Sequence, residues 1–248
     1  MSEQWDFYFC NVDDKPASIS LDLGVAEIAP VSDLPHMVYV RVYMRSPRPD
    51  GLSSSDEAAA LFAIEDALGA AITKGGGAAR GVGRCTSDGC RDLYFYAADG
   101  DACRTALEEA MSRLPDYGFE AGTRPDPEWS SYFDFLYPSE RDRQRMADRR
   151  LLEVLASHGD RTDVVREVVH WIHLGSSEDR EALAREVAPL GYRELRRQES
   201  SESDLPFTLV LANMIDMHPT SVDDTTLELL RLASERRGRY DGWETQVQ

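Results

Sequence analysis

The sequence predicts an α+β chain of two ferredoxin-like βαββαβ sandwiches in tandem, the first with an additional N-terminal strand pair. Three observations lead there. Stretches with every second residue apolar alternate with stretches of helical periodicity. The order strand, helix, strand, strand, helix, strand occurs twice. A charged segment with several prolines separates the two runs. With 42% hydrophobic and 29% charged residues the composition is that of a folded globular chain. No apolar run approaches the roughly 20 residues that a membrane helix needs.

In the first half, WDFYFCNV (5–12) and ASISLDLG (17–24) read as a strand pair joined by the turn formers Asp13, Asp14 and Pro16. HMVYVRVYMRSP (36–47) follows as a strand, with Val38, Val40 and Val42 on one face and Tyr39, Arg41 and Tyr43 on the other. SSSDEAAALFAIEDALGAAI (53–72) opens on a Ser/Asp start signal and spaces Leu61, Ile64, Leu68 and Ile72 for one buried helical face. Gly75, Gly76 and Gly77 end that helix. A hairpin over 81–100 is expected to turn at Ser87, Asp88 and Gly89. Cys103, Ala106, Leu107, Ala110, Met111 and Leu114 form a second helical stripe, and a strand at 117–123 completes the half.

RPDPEWSSYFDFLYPSERDRQR (124–145) reads as the separator, which places the boundary near Pro138 to Arg145 and the domains at 1–138 and 139–248. ADRRLLEVLASHGD (147–160) then closes a helix at Gly159. The second half continues as strand 163–173, helix 177–190, strands 191–199 and 206–216, helix 221–236 and strand 238–247.

The stretch RTDVVREVVHWIHLGS (161–176) holds two of the five histidines. Its β-branched residues mark a strand, so alternation sends His170 to one face with Arg166, Val168 and Ile172, and His173 to the other with Val169 and Trp171. Two imidazoles on opposite faces cannot chelate one ion. Cys85 and Cys90 make a C-x4-C pair around the hairpin turn, but the further Cys or His ligands that a closed zinc site needs are not nearby, so ordinary thiols are the reading. KGGGAARGVGR follows a helix and lacks the spacing of either phosphate-binding glycine motif. No catalytic signature such as G-x-S-x-G or H-E-x-x-H occurs. We therefore assign no catalytic residue, no cofactor and no metal from the sequence. Trp5, Trp129, Trp171 and Trp243 lie near strands or boundaries, where a large ring anchors packing or a partner. Arg193, Arg196 and Arg197 gather on one expected strand as a local anion-binding patch or a solvated face.

Formal net charge is -18, and both halves are acidic: residues 1–138 carry 11 Lys and Arg against 23 Asp and Glu, residues 139–248 carry 16 against 22. Such a surface repels a phosphate backbone, which argues against direct nucleic-acid binding and for a basic protein partner. The acidic start, without a long apolar core, is unlike a secretory signal, and the expectation is a cytoplasmic protein with reduced cysteines.

Motifs in the second half, LLEVLASHGDRTDVVREVVHWIHLGS, APLGYREL and RYDGWETQV, resemble the bacterial regulator of ribonuclease E activity B family. The marks are Gly159-Asp160, Arg166, Val168, His170, Trp171, Gly191-Tyr192 and Tyr240-Asp241-Gly242-Trp243. The first half carries Trp5-Asp6-Phe7-Tyr8, Asp50-Gly51-Leu52, Gly83-Arg84, Tyr94-Phe95-Tyr96 and Pro125-Asp126-Pro127-Glu128-Trp129. These resemble the bacterial family known as domain of unknown function 695. The resemblance implies a small ferredoxin-like protein that binds and inhibits an endoribonuclease without cutting RNA. The candidate interaction residues are Asp160, Arg166, His170, Trp171, Tyr192, Tyr240, Asp241 and Trp243, with Asp126 and Trp129 in the first half. The chain departs from the family in its appended first domain and in lacking a strongly acidic tail. The expected partner is a protein, a ribonuclease or a basic disordered segment, with no membrane; pairing of sheet edges into a homo-oligomer stays open. The alternative is a small-ligand binder or enzyme using an interdomain groove around Arg166 and His170.

Overall fold

The computed structural model describes residues 4–74 and 77–248. The chain divides into two compact units, Met1–Pro138 and Ser139–Gln248. Each is a mixed α/β unit holding one antiparallel sheet, with helices between strands.

The first unit runs β1 Trp5–Val12, β2 Lys15–Asp22, β3 His36–Tyr43, α1 Ser55–Lys74, β4 Ala79–Ser87, β5 Cys90–Ala97, α2 Gly100–Met111 and β6 Phe119–Pro125. Its six strands lie in the order β1-β2-β4-β5-β3-β6. Two tight turns set the hairpins. Asp13 and Asp14 at φ 49° and 61° join β1 to β2, and Asp88 and Gly89 at φ 49° and 76° join β4 to β5. Two consecutive left-handed residues match the twist of the flanking strands, and Asp and Gly tolerate that conformation best. Pro16, expected in the first turn, instead lies in β2 opposite Asn11. Asp99 accepts from the Ala102 amide, and α2 therefore begins at Gly100, earlier than the apolar stripe alone suggests. Val38, Val40, Val42, Leu93, Phe95 and Ala97 meet Leu61, Ile64 and Leu68 of α1 and Leu107 and Met111 of α2 in one core. Of the glycines expected to end α1, Gly75 and Gly76 lie outside the described residues.

The second face of this sheet shows what the proline-rich segment does. Much of the expected separator belongs to the first unit, where Trp129, Tyr132 and Leu136 are fully buried. A π-helical turn, Ser131–Leu136, carries the last two. Tyr132 donates to the Asp22 carbonyl and Tyr8 to the Leu136 carbonyl, which ties the turn to β1 and β2. A Cβ on Gly83 would stand 2.9 Å from the Ser20 carbonyl and 3.1 Å from Leu136, so the turn packs closely only over glycine.

The second unit runs α3 Glu140–Ser157, β7 Arg166–Leu174, α4 Ser177–Val187, a 3-10 turn Ala188–Leu190, β8 Arg193–Glu199, β9 Phe207–Ile215, α5 Pro219–Ser234 and β10 Arg239–Thr245. The strand order is β10-β7-β9-β8. Counting only the four strands of each repeat, both sheets place them fourth, first, third, second. Ile172 and Leu174 of β7 and Leu209 and Leu211 of β9 pack against Leu183 and Val187 of α4 and Leu229 and Leu232 of α5. Gly159, at φ 77°, follows the end of α3, and the Val164 amide bonds back to Arg161, so β7 starts later than its apolar pattern does.

Candidate functional site

The inward face of β7 is lined by Arg166, Val168, His170, Ile172 and Leu174, all buried, while Val169, Trp171 and His173 face the other way. His170 has no exposed surface. Its Nδ1 lies 2.8 Å from the Tyr240 hydroxyl and its Nε2 3.1 Å from Asn213 Oδ1. A neutral ring satisfies both by donating from Nε2 to the amide oxygen and accepting the tyrosine proton at Nδ1. Burial pulls its pKa down to about 4, against the opposing effect of Asn213. The ring is held neutral as scaffold. Tyr192 meets it edge-on at 5.9 Å. Burial also pushes Tyr192 up to about 12 and Tyr240 upward.

Arg166 grips Asp160 with both Nη groups, at 2.5 and 2.6 Å, and donates to the Gln246 and Arg161 carbonyls. The Asp160 side chain has no exposed surface and accepts the Gln248 amide. The Arg166 hydrogen bonds hold its carboxyl below the usual range. This pair clamps the start of β7 to the C-terminal residues.

Trp243 donates from its indole nitrogen to Asp148 of α3 at 2.8 Å. Asp148 is 1% exposed and accepts from Thr226 at 2.6 Å and Gln144 at 2.8 Å as well. Burial raises its pKa despite those three donors. Sequence reasoning missed Asp148 and Asn213. Asp148 left a signal, since it stands four and seven residues before Leu152 and Leu155 and so interrupts the apolar stripe of α3 with an acid.

In the first unit Trp129 stacks on Tyr96 with centroids 3.8 Å apart and planes 7° from parallel. Its indole donates to the Leu34 carbonyl at 3.1 Å, and its backbone sits at φ 58°, a strained value for a tryptophan. Asp126 accepts from Tyr96, from the Ser131 hydroxyl and from the Ser130 and Ser131 amides. Burial works to raise its pKa, and the four donors outweigh it and carry the net shift downward. Asp126 and Trp129 thus lock the segment that plugs the sheet.

The remaining candidates lie on the second sheet's other face. Trp171 is half-buried, opposite Gly242 on β10 and Val210 on β9. A Cβ on Gly242 would meet nothing within 4 Å, so the position beside Trp171 on β10 is open. His173 contacts Thr208 at 2.9 Å and Asp241 at 3.3 Å. Arg193 and Arg197, read as a local anion-binding patch or a solvated face, lie on a strand exposed along its length and are paired with Glu167 and Glu194. A register shift between Glu194 and Arg196 further divides the cluster. All four cysteines are free thiols, and burial pushes Cys85 up to about 12. Among the described residues no group of three or more His, Cys, Asp or Glu is placed to hold a metal ion. Among the described residues no helix is long and apolar enough to cross a membrane. The alternative of Arg166 and His170 converging on a substrate fails on geometry, because both are committed to internal partners and His170 meets no solvent.

Residues 3–137 match the family of unknown function DUF695, and residues 145–245 match the regulator of ribonuclease activity B family. No curated protein matches the chain. Among solved structures, one titled an unknown protein from Galdieria sulphuraria is 15% identical, covering 86% of this chain and 99% of that one at a TM-score of 0.23. A putative glycine cleavage system transcriptional repressor is 11% identical, covering 85% and 98% at a TM-score of 0.25. At those scores neither bears on fold or function. The chain belongs to the DUF695 family through its first unit and carries, after it, a domain of the regulator of ribonuclease activity B family.

Proposed function

We propose that the protein is a non-catalytic cytoplasmic regulator that binds an endoribonuclease, or a protein working with one, and restrains it. Both units are read as ferredoxin-like sandwiches and as separate domains, a reading supported by their common strand order. The observation that carries the function is the family match over 145–245 taken with the inward placement of its marks. Asp160, Arg166, His170, Tyr240 and Trp243 bond to the protein's own groups, so they set the shape of the unit. Trp171 alone among the aromatic marks presents an open side on the helix-free face. We assign contact with the partner to that face, around Trp171, His173 and Asp241. An acidic chain associates best with a basic segment of the partner, with steering that weakens as salt rises.

The test is cleavage of an RNA oligonucleotide by a purified bacterial ribonuclease E holding both its catalytic and its scaffold regions, titrated with this protein. Wild type slows cleavage, more at low salt than at high. Trp171→Ala needs at least tenfold more protein for the same effect while unfolding at the wild-type denaturant midpoint. No slowing at any ratio, or equal potency of Trp171→Ala, overturns the reading.

A further inference from the structure

The first sheet is wider than its own helices. Six strands spaced about 4.8 Å apart span about 24 Å. A helix with its side chains is about 10 Å across, so each covers about two strands. α1 and α2 pack over β3 to β6, and the core they form contains no residue of β1 or β2.

On that same side β1 presents Trp5, Phe7 and Phe9 in the i, i+2, i+4 series, 46%, 38% and 59% exposed. Phe7 and Phe9 meet edge to face at 5.7 Å. Aromatic rings in a row on an exposed strand are an uncommon surface feature and mark contact sites. Register places Phe7 beside Ser20 and Ser20 beside Arg84, with Phe9 and Ser18 in the adjoining row. Phe62 of α1, itself 48% exposed, lies over the Arg84 guanidinium at 5.3 Å. Phe62 and the β1 aromatics therefore flank a shallow depression two strand spacings wide, about 10 Å, over half-buried Ser18 and buried Ser20, the latter 8% exposed. That width fits one helix.

Charge selects the helix. Arg80 and Arg84 at the depression are already paired with Asp22 and Glu65. Asp66, one helical turn after Phe62 on α1, makes no ion pair among the described residues, and residues 1–138 carry a net charge of -12. A second copy of this chain, at -18, is repelled.

We propose that this depression seats an amphipathic, Lys- and Arg-rich helix of a partner protein, which completes the helix layer over β1 and β2. Its apolar face packs between Phe62 and the β1 aromatics, and its basic face meets the acidic rim. This goes beyond the function proposed above and lies on the other unit, so either can fail alone.

Calorimetric titration of the full chain tests it, with an 18-residue peptide of Leu and Lys in amphipathic helical order and a scrambled peptide of the same composition. The ordered peptide binds one to one. Phe9→Ser and Phe62→Ser each weaken it tenfold or more, while Val154→Ser, at an exposed position of α3 on the second unit, leaves it unchanged. Should Phe9→Ser fail to fold, Phe62→Ser, on an exposed helix position, decides by itself. Equal binding of the scrambled peptide, or no loss in the Phe62 variant, overturns the proposal. So does a dimer in sedimentation that Phe62→Ser disperses, which would make a second copy the occupant.

Discussion

Asp126 in the first unit and Asp148 in the second are both buried carboxylates, each bonded to an aromatic donor and a hydroxyl, yet their acidities move in opposite directions. Asp126 receives Tyr96 and Ser131, and Asp148 receives Trp243 and Thr226. Asp148 is the more deeply buried, 1% exposed against 7%, and the like charge of Asp223 adds to the rise, while Asp126 gains from the backbone. Asp126 stands just before the π-helical turn and collects two main-chain amides, whose dipoles point at it and cannot turn away. Asp148 lies inside α3, where its neighbours' amides are spent on the helix, and only side chains reach it. Burial then wins at Asp148 and loses at Asp126. A carboxylate's ionisation in these units is set by the depth of its burial against the donors that reach it, and main-chain amides are donors that cannot turn away.

The largest expected effect comes from a third buried carboxylate, Asp160, which a cation holds instead. Arg166→Met strands that charge and costs the second unit about 3–5 kcal/mol, read as the urea midpoint with hydrogen exchange on β7. A cost below about 1 kcal/mol would mean that the hydrogen bond the Gln248 amide donates to Asp160 suffices.

Asparagine at the two sites sharpens the contrast. At Asp126 the Ser130 amide meets Oδ1 and the Ser131 amide meets Oδ2, so an NH2 group must face one fixed donor. Asp126→Asn costs about 2–3 kcal/mol at neutral pH. At Asp148 the two nitrogen donors share Oδ1, and Oδ2 meets only Thr226, whose hydroxyl can accept from an NH2 and donate to the Asp223 carbonyl. Asp148→Asn changes stability by less than about 1 kcal/mol, in either direction. Equal costs at both sites, measured by urea unfolding, would refute the argument from fixed donors. The pH dependence also has opposite sign. The contribution of Asp126 is present at neutral pH and lost as pH falls through its lowered pKa. That of Asp148 is present in acid and lost as pH rises through its raised one.

His170 supplies a smaller, separable effect. Its folded pKa of about 4 lies below the ordinary 6.5, so the unfolded chain takes up a proton first on acidification. Stability present above 6.5 falls by about 2 kcal/mol by about pH 5. His170→Gln removes that part of the slope in urea melts at several pH values, and an unchanged slope would show that the ring is not held neutral.

Much of the fold was legible in the sequence. The alternation in residues 161–176 separates His170 from His173, the helical stripes mark α1 and α2, and Asp-Gly marks the β4–β5 turn. The packing of segment 126–136 was not legible because prolines and charge dominate its composition, while Trp129 is buried there in a stack on Tyr96, a contact across 33 positions. Of the candidate residues, the motifs named Arg166, His170 and Trp243 but not what they touch.

The sequence by itself determined periods and punctuation: which residues share a face, where helices are capped, and that both halves repeat one order of elements. Only the tertiary structure decided which face of β7 turns inward, that Asp148 meets Trp243 95 positions away, and that six strands outnumber what two helices can cover. Local backbone preferences act over a few residues and so can be read from one stretch. Partnership and coverage depend on strand register and layer width, which arise when distant segments pack against each other.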